Sequence, residues 1–302
     1  MAENRQIRIA LAGNPNCGKT TMFNNITGAK QHVGNYAGVT VEKKEGHANF
    51  NGRDLLFIDL PGTYSLTARS LDELVARNVI VNDNPDVIVN VLDASNLERN
   101  LYLAAQLLEL EKPMVIALNM SDVAEEMGIK YDFKKMAELT GATIVSTVGR
   151  TNIGTKELLE ATISVAASQK APGVTVNYGD LLEGKIAELV AALEEAGTVT
   201  YPLRWIAIKL LENDPDVVEK VKGFANTEAV LQKAAAIREE IKDQVDLDIV
   251  FQEYRHRYAV EVYNQSLTQA PKEIETRSDR YDKILTHRIW GLPIFMIVMY
   301  LL

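Results

Sequence analysis

The segment GNPNCGKT at residues 13–20 brings together the residue types that hold a phosphate group. Gly13 and Gly18 allow the backbone to curl so that several N–H groups face one anion, and a helix that begins here would add the positive end of its dipole. Lys19 can reach the β- and γ-phosphates of a nucleotide, and the hydroxyl of Thr20 can ligate Mg²⁺. The segment lies between the strand-like run IRIALA and a helix-like run, as a phosphate-binding loop requires. The alternative is a chance match in a glycine-rich turn.

A second phosphate-binding element is DLPG at residues 59–62, directly after the apolar run LLFI. Asp59 at a strand end can hold Mg²⁺ through water, and the N–H of Gly62 can meet the γ-phosphate. Between the two elements, GNYAGVTVE at residues 34–42 predicts a mobile loop, in which Thr40 could close over Mg²⁺ and the γ-phosphate. The alternatives are a plain turn at DLPG and an exposed threonine at the start of a strand.

A base-recognition element is NMSD at residues 119–122, after the apolar run PMVIAL. The carboxylate of Asp122 can accept hydrogen bonds from guanine N1–H and the 2-amino group, donors that adenine lacks. Asn119 would brace the loop and reach N7. Ligands of such sheets bind at the carboxyl ends of the strands. An Asp helix cap and an Asn in a turn are the alternative.

The last base-recognition loop falls in STVGRTNIG. Spacing from the preceding strand places it at residues 147–149, and a register slid backwards would place it at Ser146 and Thr147. Such loops usually present a Ser-Ala pair whose backbone N–H meets guanine O6. That pair is absent in both registers, so the strictness of GTP over ATP stays open.

The predicted nucleotide site consists of residues in and beside these motifs. Its members are Gly13, Asn14, Pro15, Asn16, Cys17, Gly18, Lys19, Thr20, Thr21, Gly38, Val39, Thr40, Asp59, Gly62, Asn119, Met120, Asp122, Thr147, Val148 and Gly149. We expect Lys19, Thr40 and Gly62 to act in catalysis. We expect Thr20, Thr40 and Asp59 to hold Mg²⁺.

Strand and helix signals alternate in the first part of the chain. The runs IRIALAG, DLLFIDL, DVIVNVLDA, PMVIALN and ATIVSTV predict strands, and helical stretches such as NLERNLYLAAQLLELE lie between them. This order predicts an α/β fold with a doubly wound, mostly parallel sheet over residues 1–170. A break follows at residues 169–180. From residue 181 to 270, apolar residues at three- and four-residue spacing predict a separate all-α domain without strands.

Composition narrows the function classes. The chain has 302 residues and a net charge of −9, so a basic nucleic-acid-binding surface is not expected. Cys17 is the single cysteine, which suits a reducing cytosol. No Cys/His/carboxylate cluster has metal-ligand spacing, so iron binding by this portion is not expected.

The chain ends in the apolar run RIWGLPIFMIVMYLL. Fourteen residues, from 289 to 302, are fewer than the roughly 20 that cross a bilayer as a helix. Lys283, His287 and Arg288 precede the run, as at a cytoplasmic membrane boundary. We therefore interpret residues 271–302 as a connector and the start of a first transmembrane helix. A buried core helix is the alternative.

GNPNCGKT, GNYAGVTVE, DLPGTYSL, VLDASNLERNLYL and NMSD, in this order, resemble the N-terminal GTPase of the ferrous-iron transporter B (FeoB) family. The resemblance extends to a helical domain like a GDP-dissociation inhibitor and to RSDRYDKILTHRIWGLPIF, the entry into the membrane region. It implies a P-loop GTPase of Ras-like topology, with an antiparallel edge strand around residues 47–50. It also implies the cytoplasmic portion of a bacterial inner-membrane Fe²⁺ permease, with GTP or GDP and the permease region as partners.

The resemblance further implies that Asn16 helps to bind an activating K⁺. Thr63 and Tyr64 follow DLPG, where many GTPases carry a glutamine, and neither is a good general base. We therefore expect slow, K⁺-stimulated hydrolysis of GTP with Mg²⁺. A soluble ribosome-assembly GTPase and a nucleotide sensor with negligible catalysis are the competing interpretations, and homo-oligomerisation is left open.

Overall fold

A seven-stranded sheet forms the centre of the N-terminal domain in the computed structural model, which describes residues 5–28, 30–36, 39–67, 69–197, 199–270 and 291–301. The strands in order of sequence are β1 (Ile7–Gly13), β2 (Gln31–Asn35), β3 (Glu42–Phe50), β4 (Arg53–Asp59), β5 (Val87–Asp93), β6 (Met114–Asn119), β7 (Lys130–Tyr131), β8 (Thr143–Ser146) and β9 (Leu267–Gln269). The large sheet has the order β2-β3-β4-β1-β5-β6-β8, and β7 pairs separately with β9.

Helices cover both faces of the large sheet and make up the C-terminal domain. They are α1 (Lys19–Thr27), α2 (Leu71–Asn82), α3 (Leu97–Leu108), α4 (Ser121–Glu126), α5 (Phe133–Thr140), α6 (Thr155–Ser168), α7 (Gly179–Ala196), α8 (Leu203–Leu211), α9 (Pro215–Lys222), α10 (Glu228–Ile241), α11 (Leu247–Ser266) and α12 (Gly291–Leu301). The predicted fold class, a doubly wound and mostly parallel α/β domain followed by helices, is thereby confirmed.

The antiparallel strand differs from the sequence-based prediction in its position. β3 is antiparallel to β2 and to β4, whereas the other pairs in the large sheet are parallel. The prediction of an antiparallel strand around residues 47–50 is therefore right, but the prediction that it lies at the edge is wrong. β2 lies outside it, and the first two residues of the predicted loop at 34–42 belong to β2.

Two apolar cores form because the strands alternate their side chains between the faces of the sheet. On one face, Val87, Val89 and Val91 pack against α1 and α6. On the other, Ile88 and Leu92 join a core that continues into the C-terminal helices. The large sheet and the helical domain therefore share one continuous apolar interior.

Buried charges also join the two domains. Arg255 of α11 is fully buried and donates to Glu109 at 2.7 and 3.0 Å and to Glu212 at 2.5 Å. Tyr178 donates its hydroxyl proton to Glu109 as well. Burial together with the negative charge of Glu109 raises the pKa of Tyr178. This network fixes α11 against the end of α3.

The end of the helical region departs from a purely helical prediction. β9 pairs with β7 of the N-terminal domain, because residue 267 ends α11 in an extended conformation. α12 is apolar along its length, and Leu292 and Tyr300 are exposed. Among the described residues, no helix combines the length and the apolar character that crossing a bilayer demands. Lys283, His287 and Arg288 lie outside the described residues.

Candidate functional site

The phosphate-binding loop leads from the end of β1 into α1. Gly18 has φ +86°, a left-handed conformation that favours glycine. A Cβ at Gly18 would lie 2.2 Å from Asn119 Nδ2, and one at Gly13 would lie 2.6 Å from the Val91 carbonyl oxygen. Both glycines therefore allow the loop to pack against neighbouring strand ends. The first backbone N–H groups of α1 are thereby presented at the carboxyl edge of the sheet.

The cation and the carboxylate predicted for phosphate and Mg²⁺ lie side by side. Lys19 forms a buried ion pair with Asp59, and the Thr20 hydroxyl lies 3.4 Å from Asp59 Oδ2. A hydroxyl and a carboxylate oxygen are the hard donors that Mg²⁺ takes up, usually together with water and phosphate oxygens. The donor set of Thr20 and Asp59 therefore fits Mg²⁺. Lys19 would turn from Asp59 to a phosphate on binding.

One cleft of about 630 Å³ is lined by the residues that were predicted to act in catalysis and to hold Mg²⁺. Lys19, Thr20, Thr40, Asp59 and Gly62 all line it. Its other lining residues are Val41, Glu42, Lys44, Leu60, Pro61, Leu71 and Asp72. Residues separated by up to 53 positions in the sequence thus face one polar space that would accommodate a triphosphate.

Main-chain contacts hold the DLPG segment against the phosphate-binding loop. The N–H of Thr63 donates to the Gly13 carbonyl at 3.3 Å. A Cβ at Gly62 would lie 3.2 Å from Pro15 Cα, so a larger residue here would push the two segments apart. The chain beyond is held by Glu73, which accepts from Ser65 at 2.6 Å and from the Arg69 N–H at 2.9 Å.

The predicted base-recognition residues form a second group around Asn119. Asn119 Nδ2 donates to the Cys17 carbonyl at 2.8 Å, and its Oδ1 accepts from Gly149 N–H at 2.8 Å and from Thr147 Oγ1 at 3.3 Å. Asn119 therefore joins three loops. Asp122 is the second residue of α4, and its Oδ2 lies 3.2 Å from Arg150 Nη2.

The two registers considered for the last loop differ in their surroundings. Ser146 belongs to β8 and donates to the Ser121 hydroxyl at 2.7 Å. Thr147, Val148 and Gly149 are buried in the turn that follows. The Val148 N–H donates to the Ile153 carbonyl at 3.0 Å, whereas the Gly149 N–H points at Asn119. Gly149 thus offers the N–H nearest to the base-recognition residues.

The remaining predicted residues occupy varied positions. Asn14 is buried, and neither of its amide atoms has a hydrogen-bond partner within the described ranges. Asn16 is exposed with φ +65°, Met120 has φ +58°, and Thr21 is exposed on α1. Burial raises the pKa of the Cys17 thiol to about 11, so it is a packed loop residue. Val39 packs on the core, and Gly38 lies outside the described residues.

Arg77 and its partners are missed by motif reasoning. The fully buried guanidinium of Arg77 donates to Asp214 and Asp216 of the helical domain, each at 2.6 Å, and lies 3.5 Å from the Leu66 carbonyl. In the sequence, Arg77 is simply an arginine among the apolar residues of LDELVARNVIVN. That pattern does not indicate which residues it pairs with. Motif reasoning also misses Arg99 of α3, whose guanidinium carbon lies 4.2 Å from the centre of the Tyr64 ring.

Comparison with protein families gives two matches. Residues 7–162 match the family model described as "Ferrous iron transport protein B", and residues 178–268 match "FeoB cytosolic helical domain". An Fe(2+) transporter FeoB of Staphylococcus aureus is 38% identical over 97% of this chain and 43% of its own length. An Fe(2+) transport protein A/FeoB fusion protein of Porphyromonas gingivalis is 38% identical over 98% of this chain and 36% of its own length. The chain thus spans about two fifths of these relatives.

Solved structures are similar to this chain in sequence and in fold. A variant of S. thermophilus NFeoB bound to mGDP superimposes with a TM-score of 0.80 at 34% identity, over 87% of this chain and 100% of that one. The cytosolic domain of T. maritima FeoB in its GMPPNP form gives a TM-score of 0.76 at 31% identity, over 87% and 99% of the two chains. The arrangement around Lys19, Asp59 and Asn119 is therefore set in a GTPase fold, and the chain belongs to the ferrous iron transport protein B family.

Proposed function

We propose that this chain binds and hydrolyses GTP on the cytoplasmic side of a bacterial inner membrane, and that its nucleotide state regulates ferrous iron uptake by a membrane permease. The observation that carries the proposal is the single cleft lined by Lys19, Thr20, Thr40, Asp59 and Gly62. Family membership supplies the connection to iron, since the relatives bear the name Fe(2+) transporter FeoB.

The proposed chemistry assigns one task to each residue of the cleft. Lys19 and the N–H groups at the start of α1 neutralise charge that develops on the phosphates. Thr20 and Asp59 would hold Mg²⁺, with Thr40 as a further ligand, and the ion would stabilise the negative charge of the transferring phosphoryl group. The N–H of Gly62 binds a γ-phosphate oxygen. The hydrogen bond from Thr63 to Gly13 keeps Gly62 beside the phosphate loop.

The attacking water must be held without a side-chain base from the DLPG segment. The Thr63 side chain is buried, and the Tyr64 ring lies under Arg99. This supports main-chain positioning of the water, together with the loop of Thr40, and hence slow turnover. Asn16 is exposed and has a left-handed backbone in the phosphate loop, and its amide oxygen would be the side-chain ligand of K⁺.

Turnover of GTP with Mg²⁺ tests the catalytic proposal. Lys19→Ala should lower turnover by about a hundredfold or more, because it removes a charge that stabilises the transition state. Lys156→Ala removes an exposed lysine of α6, and it should retain wild-type turnover. Equal turnover by Lys19→Ala and the wild type would reject the catalytic role. Affinity for ATP close to that for GTP would reject GTP as the main substrate.

Replacing K⁺ by Na⁺ at constant ionic strength tests the cation proposal. K⁺ should accelerate wild-type hydrolysis, and Asn16→Ala should abolish the difference between the two ions. Equal rates in K⁺ and Na⁺, with Asn16→Ala unaffected, would reject K⁺ activation while leaving GTP hydrolysis intact.

Coupling to the helical domain is proposed to run through Leu66 and Arg77. The Leu66 carbonyl lies at Arg77, and Arg77 bonds to Asp214 at the N-terminus of α9. A γ-phosphate that binds the Gly62 N–H would shift the segment from Gly62 to Leu66. This shift would change the contact between the Leu66 carbonyl and Arg77. Hydrogen exchange with GDP and with a non-hydrolysable GTP analogue tests the proposal. Unchanged exchange across residues 181–270 would contradict it.

A further inference from the structure

The groups that would read guanine are already paired within the protein. The Asp122 carboxylate accepts from Arg150 Nη2 at 3.2 Å. Asn119 Oδ1 accepts from Gly149 N–H, and the Gly149 carbonyl accepts from Asn25 Nδ2 at 2.5 Å. Asp122, Asn119 and Gly149 thus all have hydrogen-bond partners within the protein.

Two of these contacts respond differently to a bound base. Asn119 would keep its contacts to Cys17 and Thr147 if the Gly149 N–H turned towards guanine O6. Asp122 has no such alternative. Guanine offers two donors, N1–H and the 2-amino group, to its two oxygens, and Oδ2 is the oxygen that Arg150 occupies. Arg150 and guanine therefore compete for the same acceptor.

The position of Arg150 allows it to move in and out of this contact. Its side chain is 80% exposed, whereas that of Asp122 is 28% exposed. Arg150 directly follows Gly149 in a turn closed by the Thr151 N–H on the Val148 carbonyl at 3.1 Å. The guanidinium can therefore leave Asp122 for solvent at little cost and return when the base departs.

We propose, on the basis of the proposed nucleotide site, that Arg150 is an internal competitor of guanine for Asp122 and thereby accelerates the release of GDP. An exposed ion pair of this kind changes an equilibrium by about two- to fivefold. Because guanine must displace Arg150 from the carboxylate, the pair lowers the affinity for guanine nucleotides by that factor. Because it re-forms the pair as the base tilts out, most of the factor falls on the dissociation rate.

The release of a fluorescent GDP analogue, followed after mixing with excess unlabelled GDP, tests this role. Arg150→Gln removes the charge and keeps a polar side chain. It should slow release by about two- to fivefold at low salt. The difference from the wild type should shrink as salt screens the pair. Lys156→Gln is the matched control, since it removes an exposed positive charge from the following helix, where Lys156 faces Glu160 instead.

The Asp122→Asn background separates competition from a general effect of the loop. Asparagine cannot form the ion pair and is complementary to a xanthine base, so release is measured there with the fluorescent xanthosine diphosphate analogue. Arg150→Gln should leave that rate unchanged. Faster GDP release in Arg150→Gln, as expected if the guanidinium covers the base, would overturn the proposal. Unchanged GDP release would overturn it as well. So would an equal slowing in the Asp122→Asn background. Failure of the wild type to bind the GDP analogue would instead reject the nucleotide site itself.

Discussion

Replacing Arg77 with methionine should destabilise the chain by about 3 kcal/mol, near the lower end of the range for breaking a buried ion pair. Arg77 is fully buried, and the Asp214 side chain is only 5% exposed. Methionine fills much of the space but leaves the negative charge of Asp214 inside the protein. An uncompensated buried charge, more than the lost attraction, is what makes such a change costly.

The lower end applies because both carboxylates keep another partner. Asp214 still accepts from the Val217 N–H at 3.1 Å as the cap of α9, and Asp216 still pairs with Lys220 at 2.8 Å. Neutralising Asp214 should therefore recover much of the loss. In the double variant Arg77→Met/Asp214→Asn, asparagine can still cap the helix. We expect it to be more stable than Arg77→Met alone by at least about 1 kcal/mol.

Urea unfolding followed by fluorescence measures both quantities. Trp205 is buried, with Arg77 lying 5.9 Å from its ring centre, so its emission reports this region. Arg53→Met serves as the control, because Arg53 is exposed in the β3–β4 hairpin, and it should change stability by no more than about 0.5 kcal/mol. A loss below about 1 kcal/mol for Arg77→Met, or a double variant no more stable than the single one, would refute the reasoning.

Three further predictions follow from individual contacts. With a pKa of about 11, the Cys17 thiol should be about one part in a thousand thiolate at pH 8; rapid labelling by a disulfide reagent in the folded protein would contradict this. Despite its burial, Lys209 and Arg255 lower the pKa of Glu212 to about 2, so about 3 kcal/mol of stability should be present above pH 4.5 and disappear as the pH falls towards 2; Glu212→Gln should remove this part of the acid dependence in urea unfolding at pH 7, 4 and 3. Asn119→Ala removes the brace between loops and should weaken GDP binding by about thirtyfold, and a titration showing less than a threefold loss would exclude that role.

The residues proposed to bind phosphate can be recognised in the sequence because the geometry that they require is local. Gly18 adopts a left-handed φ where the loop enters α1. A glycine at that position of a short motif is enough to indicate this conformation. Lys19 and Asp59 could be assigned to the same site from the sequence, since one follows and the other ends a parallel strand, and such strands end at the same edge of the sheet. The structure accordingly places both in one cleft.

The edge of the sheet could not be predicted in the same way. β2 has the sequence QHVGN, which is largely polar and exposed, so it carries no alternation of apolar residues. It exists because its backbone pairs with β3, from Gln31 opposite Gly46 to Asn35 opposite Glu42. Such pairing depends on a partner strand rather than on the segment's own side chains.

Residues that would bind the nucleotide and residues that would transmit its state leave different traces in a sequence. Lys19 lies in a motif because a phosphate demands a fixed local arrangement of donors. Arg77 pairs with Asp214 across 137 positions, and a buried ion pair requires only that two opposite charges meet in a dry place. No spacing rule connects the two residues, so an equivalent ion pair could be formed from other positions of the chain. The proposed path from the cleft at Lys19 to the helical domain therefore depends on the packed structure, and substitutions along it should separate GTP hydrolysis from its regulation.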